Sequence, residues 1–217
     1  TSSTYFTPGA KTHTYDDNAA VSGNINVTVV DEDGYYANAG TLSRTVNNVA
    51  PTGLLLNGGA VNEGSSGVVV MISQNDPSAA DRAAGYTYSY DFNNDGDFND
   101  PGEIVGTTSA TASVPGTYLG NDPSKTIRVQ ISDKDGGTRS YTTVITVNNV
   151  APVVDAGPHR SAFAGSLLTQ TCTITDPGSE PFWTVEVDYD YDGMTFTADD
   201  TFNTPTRTFD LSHTYGA

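Results

Sequence analysis

The sequence predicts an all-β fold, and three observations support that class. Thr, Ser, Asn and Val are abundant beside 22 Gly and 11 Pro, which favours short strands and turns because β-branched residues fit a pleated surface. No apolar stripe follows the 3.6-residue period of a helix, and no apolar run approaches the roughly 20 residues that span a membrane. Short strand-like runs recur about 100 residues apart, which indicates a repeat.

The repeat is clearest in one six-residue segment. Residues 46–51, Val-Asn-Asn-Val-Ala-Pro, occur again without change at 147–152. The acidic segment 31–34 returns as 133–136 at nearly the same spacing, and Asp-Pro at 76–77 returns at 176–177. Six identical residues in a row at the length of one domain predict tandem repeats of about 100 residues each.

The two ends of the chain resemble each other. Residues 4–8 are similar to 201–205, and His-Thr-Tyr at 13–15 is identical to 213–215. We therefore expect the chain to begin partway through one repeat and to stop at nearly the same point two repeats later. The predicted domains are a C-terminal half-repeat (1–50), a complete repeat (51–151) and an N-terminal half-repeat (152–217).

Half of a β-sandwich leaves strand edges unpaired, so neither half-repeat is expected to form a complete core alone. The missing halves could come from neighbouring sequence of a longer protein. They could also come from a neighbouring copy, with 152–217 of one chain pairing with 1–50 of the next. Either arrangement predicts a linear array or filament with copies of the same protein as partners.

Alternating apolar residues place the strands within each repeat. Asp-Gly turns follow the strands predicted at 25–29 and 127–131, and Ala-Pro at 151–152 ends a repeat because proline cannot join a ladder. About seven strands per 100 residues fit an immunoglobulin-like sandwich, in which Tyr15, Tyr118 and Tyr215 would occupy the tyrosine-corner position. The predicted strands are 25–29, 68–73, 86–92, 127–131, 142–147, 167–174 and 183–189.

Several segments resemble the PKD family of immunoglobulin-like repeats, which is common in secreted and surface proteins of bacteria and archaea. Residues 153–158 resemble its opening, Tyr-Asp-Phe at 90–92 with Asp-Gly at 95–96 resembles its centre, and 213–215 matches its His-x-Tyr. Tyr90 and Val187 stand where the family usually has tryptophan. The resemblance implies the fold and a spacer, adhesive or accessory role, and fold alone does not give function.

The charge is strongly acidic, with 26 Asp and Glu against 9 Lys and Arg and a net charge of −17. Such a surface repels nucleic acid and anionic lipid and concentrates cations, so neither nucleic-acid binding nor membrane insertion is expected. Cys172 is the only cysteine, which excludes an intramolecular disulfide and cysteine-rich zinc sites. It lies in an alternating run and is predicted to be a core residue.

Two acidic loops resemble the start of an EF-hand calcium loop. Asp91, Asn93 and Asp95 alternate before Gly96 and Asp97, so oxygen-bearing side chains would converge where the glycine turns the chain. The second loop repeats the pattern. Glu103 and Asp200 each lie twelve residues after the first aspartate of their loops. The predicted calcium ligands are Asp91, Asn93, Asp95, Asp97 and Glu103, and then Asp188, Asp190, Asp192 and Asp200.

Other interpretations of these loops stay open. Asp100 and Asp199 are close enough in sequence to contribute. The loops could also be Asx-rich hairpin turns without an ion, because Asp, Asn and Gly favour such turns. A weaker hypothesis places calcium between repeats, at two Asp-x-Asp-Gly turns with the pairs Asp31/Asp33 and Asp133/Asp135.

No Ser-His-Asp set, His-Glu-x-x-His motif or phosphate-binding loop occurs in the sequence, so we expect no enzyme activity. The predicted function is a structural repeat of an extracellular or cell-surface fibre, surface layer or adhesin stalk, stabilised by calcium. The alternative is a carbohydrate-binding or spacer module of a secreted hydrolase, with surface glycans as partners. Its sugar-stacking candidates, which more typically serve as core residues, are Tyr5, Tyr86, Tyr88, Tyr90 and Trp183.

Overall fold

The computed structural model describes residues 12–18, 23–120 and 123–216. Strands dominate it, which confirms the all-β prediction. Its described helices are α1, Ala79–Ala84, and a 3-10 turn, Gly116–Tyr118. Neither has the length or hydropathy needed to cross a membrane.

Fifteen strands lie in the described residues, and each predicted strand overlaps one of them. Their bounds are β1 Gly23–Val30, β2 Tyr35–Arg44, β3 Thr52–Asn57, β4 Val61–Asn62, β5 Gly67–Asn75, β6 Thr87–Asp91, β7 Ile104–Thr107, β8 Thr111–Val114, β9 Ser124–Ser132, β10 Thr138–Asn148, β11 Val153–Asp155, β12 Leu167–Thr175, β13 Trp183–Val187, β14 Asp200–Thr204 and β15 Thr208–Thr214.

The strands form five sheets. The largest has the order β4-β10-β9-β6-β7, and the three-stranded sheets have the orders β3-β5-β8 and β11-β12-β15. The two-stranded sheets are β1-β2 and β13-β14. Several small sheets of this kind are consistent with a β-sandwich.

The described residues fall into two compact units. Unit 1 is drawn from Thr1–Leu56, Val69–Ala112 and Ile127–Thr143, and it contains the β1-β2 hairpin, α1 and the β6-β7 hairpin. Unit 2 is drawn from Asn57–Val68, Ser113–Thr126 and Val144–Ala217, and it contains β11 to β15.

The fully buried apolar side chains are concentrated in the middle of the chain. Tyr90, Phe92 and Val129 are 0% exposed, and the Tyr90 hydroxyl donates a 2.7 Å hydrogen bond to the backbone carbonyl of Ser109. This bond lets a polar aromatic residue lie in the core without an unpaired hydroxyl. Cys172 is 0% exposed, which confirms the prediction that it is a core residue.

The β1-β2 hairpin is unusual because both of its faces are open to solvent. Its strands pair antiparallel, with Ile25 opposite Leu42 and Val30 opposite Tyr35. Every residue of β1 is exposed, and β2 is exposed at all but two positions. Among the described residues, nothing covers either face of this hairpin, and an isolated two-stranded hairpin is only marginally stable in water.

The sheets formed by 153–214 enclose a partly open apolar cavity of about 390 Å³. Cys172, Val185 and Phe209 are among its lining residues. Phe202 and Phe209 meet edge to face, with ring centroids 5.6 Å apart. Such a cavity differs from the dense packing that is typical of a finished core.

Two of the predicted tyrosine-corner residues make nearly the same ring contact with the histidine two residues before them. The rings of His13 and Tyr15 meet edge-on at 4.5 Å and 73°, and those of His213 and Tyr215 do so at 4.6 Å and 72°. Tyr118, the third, ends the 3-10 turn. The matching geometry accords with the sequence match between 13–15 and 213–215.

Candidate metal centre

Hairpin register positions both acidic loops. The first loop joins β6 to β7, where Tyr90 pairs with Ile104, so Asp91 and Glu103 return to the same end of the hairpin. The second joins β13 to β14, where Val187 pairs with Asp200. Antiparallel pairing therefore brings the two ends of each loop together, as the spacing of the acids predicts.

Asp91 anchors the first loop from a buried position, with 0% exposure. Its two carboxylate oxygens accept hydrogen bonds from the backbone N–H groups of Asn94 and Gly96. The Arg128 guanidinium lies 3.6 Å from Oδ2 and donates a 3.0 Å hydrogen bond to the Asn94 side chain. Both turn residues have positive φ, 60° at Asn94 and 96° at Gly96, a conformation that Asn and Gly tolerate best.

The next three predicted ligands form a series of Asx turns. The side chains of Asn93, Asp95 and Asp97 each accept a hydrogen bond from the backbone N–H two residues later, at 3.0, 2.8 and 3.1 Å. The Asn99 side chain also donates to Asp97, and this bond is the main cause of the lowered pKa of the Asp97 carboxyl. These contacts are those of an Asx-rich turn.

Glu103 closes the first loop, as its position predicts. Its Oε1 accepts a 2.8 Å hydrogen bond from the backbone N–H of Phe92, and its Oε2 accepts a 3.3 Å bond from that of Asp100. The Asn93 amide donates to the Asp100 carboxylate at 2.6 Å. Asp100 is therefore part of the loop network.

The acids of the first loop do not converge on one point. Four triads of acidic side chains in the described residues have oxygens within 4.8 Å of one another, and none uses a residue of this loop. Each carboxylate of the predicted set instead accepts hydrogen bonds from the loop itself. The first loop is thus organised by its own backbone and amide donors.

The second loop does bring carboxylates together. Oxygens of Asp188, Asp190 and Asp199 lie within 4.8 Å of one another, and this set is called the loop triad below. Asp199 also accepts a 2.7 Å hydrogen bond from the backbone N–H of Tyr189. The pKa of the Asp190 carboxyl is raised, first by its hydrogen-bonding contact with Asp188 and then by the negative charge of Asp199. The loop triad therefore concentrates negative charge on oxygen donors.

Two predicted ligands of the second loop lie outside this triad. Asp192 accepts hydrogen bonds from the backbone N–H groups of Met194 and Thr195, at 2.8 and 3.1 Å, and these bonds lower its pKa. The Asp200 carboxylate accepts from the backbone N–H of Thr201 at 2.9 Å. Of the four predicted acids, Asp188 and Asp190 are brought together, and Asp199 completes the group.

Asp190 and Asp199 of the loop triad border a solvent-accessible cavity of about 410 Å³, lined also by Asp200, His213 and Tyr215. The imidazole of His213 stacks on Tyr189 at 4.2 Å with 14° between the ring planes. Hard carboxylate oxygens beside open space suit an alkaline-earth cation that retains some of its water.

Several buried acids lie outside the two predicted loops. Asp76 and Asp81 are each 1% exposed and belong with Asp133 to one triad, and Asp81 belongs to a second with Asp17 and Asp135. The recurrence of Asp-Pro at 76 and 176 was the available signal. The two weaker candidate pairs lie in turns: the Asp31 carboxylate accepts from the N–H groups of Asp33 and Gly34, and the Asp133 carboxylate accepts from those of Asp135 and Gly137.

Most of the candidate sugar-stacking residues are buried or half-buried. Tyr88 and Tyr90 are 4% and 0% exposed, and Tyr86 and Trp183 are half-buried. The Arg207 guanidinium covers the Trp183 ring at 5.7 Å. Tyr5 lies outside the described residues.

The two loops therefore differ in what they offer a cation. The first holds its oxygens in hydrogen bonds, and the second gathers three carboxylates beside open space. No protein-family model and no curated protein matches the sequence.

Proposed function

We propose that this chain is a non-catalytic structural segment of an extracellular fibre, surface layer or adhesin stalk, built from tandem PKD-like repeats. In this proposal the β1-β2 hairpin of one copy completes the open sandwich formed by 153–214 of the next copy. Calcium stiffens the array. One observation carries the proposal, namely the different burial of two matching hairpin strands.

The β1 strand matches β9 in sequence but not in burial. In β9, Ile127, Val129 and Ile131 are all 0% exposed. The corresponding residues of β1 are 39%, 51% and 49% exposed, and they are Ile25, Val27 and Val29. The same alternating pattern is thus buried in one place and open in the other, as expected for a strand whose partner is a separate molecule.

The open sandwich offers the complementary surface. In the complete repeat, β6 pairs with β7 on one side and with β9 on the other. Its sequence counterpart β13 pairs with β14 and with no other strand that the structure describes. A strand of the β1 type would fill the free edge of β13 by strand addition, with its apolar face covering the cavity.

Burying the apolar face of β1 in a second copy would contribute substantial free energy to assembly. Burying one Val or Ile side chain completely contributes about 1.5–3 kcal/mol relative to full exposure, so three half-exposed side chains offer roughly half of that each. New backbone hydrogen bonds along the β13 edge would add specificity. Because each copy has one donor hairpin and one acceptor edge, the contact is head to tail and extends as a filament.

The calcium part of the proposal is supported best by the loop triad. Three carboxylates held within 4.8 Å repel one another unless a cation lies between them. The raised pKa of Asp190 reports that crowding. Extracellular calcium-binding modules work with dissociation constants of about 10⁻⁴–10⁻³ M, a range in which exposed carboxylates of this kind suffice.

Assembly is tested by sedimentation of the purified chain across a concentration series, with CaCl₂ or with chelator. We expect oligomers that grow with concentration. Val27→Asp should leave the chain monomeric, because it places a charge on the apolar face of β1. Thr28→Asp on the opposite face of the same strand is the matched control and should assemble like wild type.

Two outcomes would contradict the proposal. One is a wild-type chain that stays monomeric at about 100 µM, far above the range in which such contacts should form. The other is equal assembly by the Val27→Asp and Thr28→Asp variants. Electron microscopy of the wild-type assemblies should show unbranched filaments.

A further inference from the structure

Three aspartates meet inside unit 1, and only Asp133 among them belongs to a turn motif considered from the sequence. Asp76 and Asp81 are each 1% exposed and Asp133 is 7% exposed, and oxygens of all three lie within 4.8 Å of one another. This set is called the buried triad. Buried carboxylates are stable only when hydrogen bonds, an opposite charge or a metal compensates them.

Asp133 is fully compensated. Both of its oxygens accept hydrogen bonds from the Asn48 amide, at 3.1 and 3.0 Å. Its Oδ1 also accepts from the backbone N–H groups of Asp135 and Gly137, at 2.9 and 2.8 Å. Asp133 is therefore held rigidly in place.

The other two aspartates each keep a buried carboxylate oxygen without a hydrogen-bond partner. Asp76 uses Oδ1 to accept a 2.8 Å hydrogen bond from the backbone N–H of Ser78, but its buried Oδ2 has no hydrogen-bond partner in the described structure. The Oδ2 of Asp81 is likewise buried and unpartnered. Leaving a buried acceptor without a partner is costly.

The nearby cations are too few for these acids. The Lys134 ammonium lies 3.1 Å from Oδ1 of Asp81, but it is shared with Asp17 at 2.8 Å and Asp135 at 2.5 Å. These contacts raise the pKa of Lys134, with Asp135 the largest cause and Asp17 the next. Arg82 directs its guanidinium to the backbone carbonyls of Asp76 and Pro77.

The backbone positions the triad in advance. Asp76 directly follows β5 and forms the Asx turn that leads into α1. Asp81 lies in the first turn of α1, where its backbone N–H donates to the capping Ser78 hydroxyl at 3.1 Å. Asp133 directly follows β9. Carboxylates fixed by secondary structure need little reorganisation to take up an ion.

We propose that Asp76, Asp81 and Asp133 form a buried binding site for a hard divalent cation, with calcium as its ligand. The site is separate from both acidic loops and does not depend on filament formation. Its donors are all carboxylate oxygens, which calcium prefers. The unpartnered oxygens of Asp76 and Asp81 supply the free ligand positions.

The test compares the 217-residue chain with its Asp76→Asn variant by calorimetric titration with CaCl₂ and by thermal unfolding. The amide introduced by this substitution would keep an oxygen acceptor for the Ser78 N–H while removing one of three crowded charges. We expect calcium affinity at this site to fall at least about tenfold. In chelator the melting temperature should stay level or rise, and in CaCl₂ it should lie below that of wild type.

The control is Asp199→Asn, which removes a carboxylate of the loop triad. Its calorimetric titration should lose the calcium binding that belongs to the loop triad and keep the calcium binding that belongs to the buried triad. In ¹⁵N NMR spectra, calcium should shift the Asn48 side-chain amide resonances in wild type and Asp199→Asn but not in Asp76→Asn. Equal destabilisation of Asp76→Asn in chelator and in calcium, with an unchanged titration, would overturn the proposal.

A second variant keeps the test decisive if Asp76→Asn folds poorly. Lys134→Gln removes the ammonium that competes for Asp81 and leaves the three buried carboxylates intact. We expect calcium affinity to increase severalfold, because one repelling positive charge is gone. Unchanged or weaker calcium binding in this variant would contradict the proposed site.

Discussion

The backbone N–H of Phe92 donates a 2.8 Å hydrogen bond to Oε1 of Glu103. Phe92 is fully buried, so this bond ties the first acidic loop to the edge of the core. Glu103 thus joins the end of the loop to its beginning by accepting this backbone hydrogen bond.

Glu103→Ala should destabilise the chain by about 1–3 kcal/mol, because it removes the carboxylate that accepts the Phe92 and Asp100 N–H bonds. Glu103→Gln should lose less stability, since its amide oxygen can still accept the hydrogen bond from the Phe92 N–H. Asp97→Asn, on the exposed part of the same loop, serves as the control and should change stability by less than about 0.5 kcal/mol. Urea unfolding measures all three, and equal stabilities of Glu103→Ala and Asp97→Asn would refute this role.

Calcium binding by the loop triad should weaken in acid. The pKa of Asp190 is raised in the folded state, so the folded chain holds this proton more tightly than the unfolded chain does. The associated stability is fully present below pH about 4 and is lost as the pH rises through the raised pKa. Because protons compete with the proposed calcium for these oxygens, the calcium-induced rise in melting temperature should shrink as the pH falls towards about 4.

Asp199→Asn supplies the matching mutational test of the loop triad. It should bring the Asp190 pKa closer to its ordinary value and should remove the calcium-dependent shift that belongs to this loop. Asp192→Asn is the control, because Asp192 lies outside the triad and its pKa is lowered by the backbone donors of Met194 and Thr195. NMR titration of the carboxyl carbons distinguishes them. An unaltered Asp190 pKa in Asp199→Asn would show that the Asp199 carboxylate does not affect Asp190.

Sequence patterns predicted strands better than they predicted burial. Alternation at 25–29 and 127–131 correctly predicted both β1 and β9. The same alternation could not show that Val129 is buried and Val27 exposed, because burial depends on which sheet packs against the strand. That partner comes from distant sequence or from another molecule, so the local alternation of apolar residues does not identify it.

The acidic sites show the same limit. Spacing located both loops, yet Asp199 and not Asp200 joins the loop triad. Asp200 begins β14 opposite Val187, and its carboxylate accepts from the backbone N–H of Thr201. The buried triad depends on Asp133, which is distant in sequence from Asp76 and Asp81. Such a group becomes visible only once the strands are placed.

Tyr90→Phe should cost about 0.5–1.5 kcal/mol, the usual net value of one hydrogen bond. The variant loses the 2.7 Å bond from the Tyr90 hydroxyl to the Ser109 carbonyl and keeps the ring in the core. Tyr191→Phe is the control, because that ring is 55% exposed. Chemical denaturation compares them, and equal stabilities would show that the buried hydroxyl contributes nothing.

Tyr90 also predicts a loss of stability at high pH. Burial raises the pKa of its phenol, so above pH about 10 the unfolded chain releases a proton that the folded chain retains. Stability from this group is present below pH about 10 and is lost as the pH rises through the raised pKa. In Tyr90→Phe the alkaline decline should be shallower, as measured by unfolding between about pH 8 and 11. An identical decline would contradict this assignment.

Cys172 should act as a reporter of the open sandwich. It is 0% exposed, and burial is the main cause of its raised thiol pKa, so little reactive thiolate is present. A disulfide reagent should modify the folded chain at least about tenfold more slowly than the chain in urea. Labelling that is as fast in buffer as in urea would show that the thiol is not protected.

The same thiol can detect the proposed contact between copies. Cys172 lines the 390 Å³ cavity that the β1-β2 hairpin of a second copy would cover. Labelling should therefore slow further as protein concentration rises, since access to the thiol requires the copies to separate. Val27→Asp should remove that concentration dependence and Thr28→Asp should keep it. If wild-type labelling is independent of concentration while filaments form, the hairpin does not occupy this cavity.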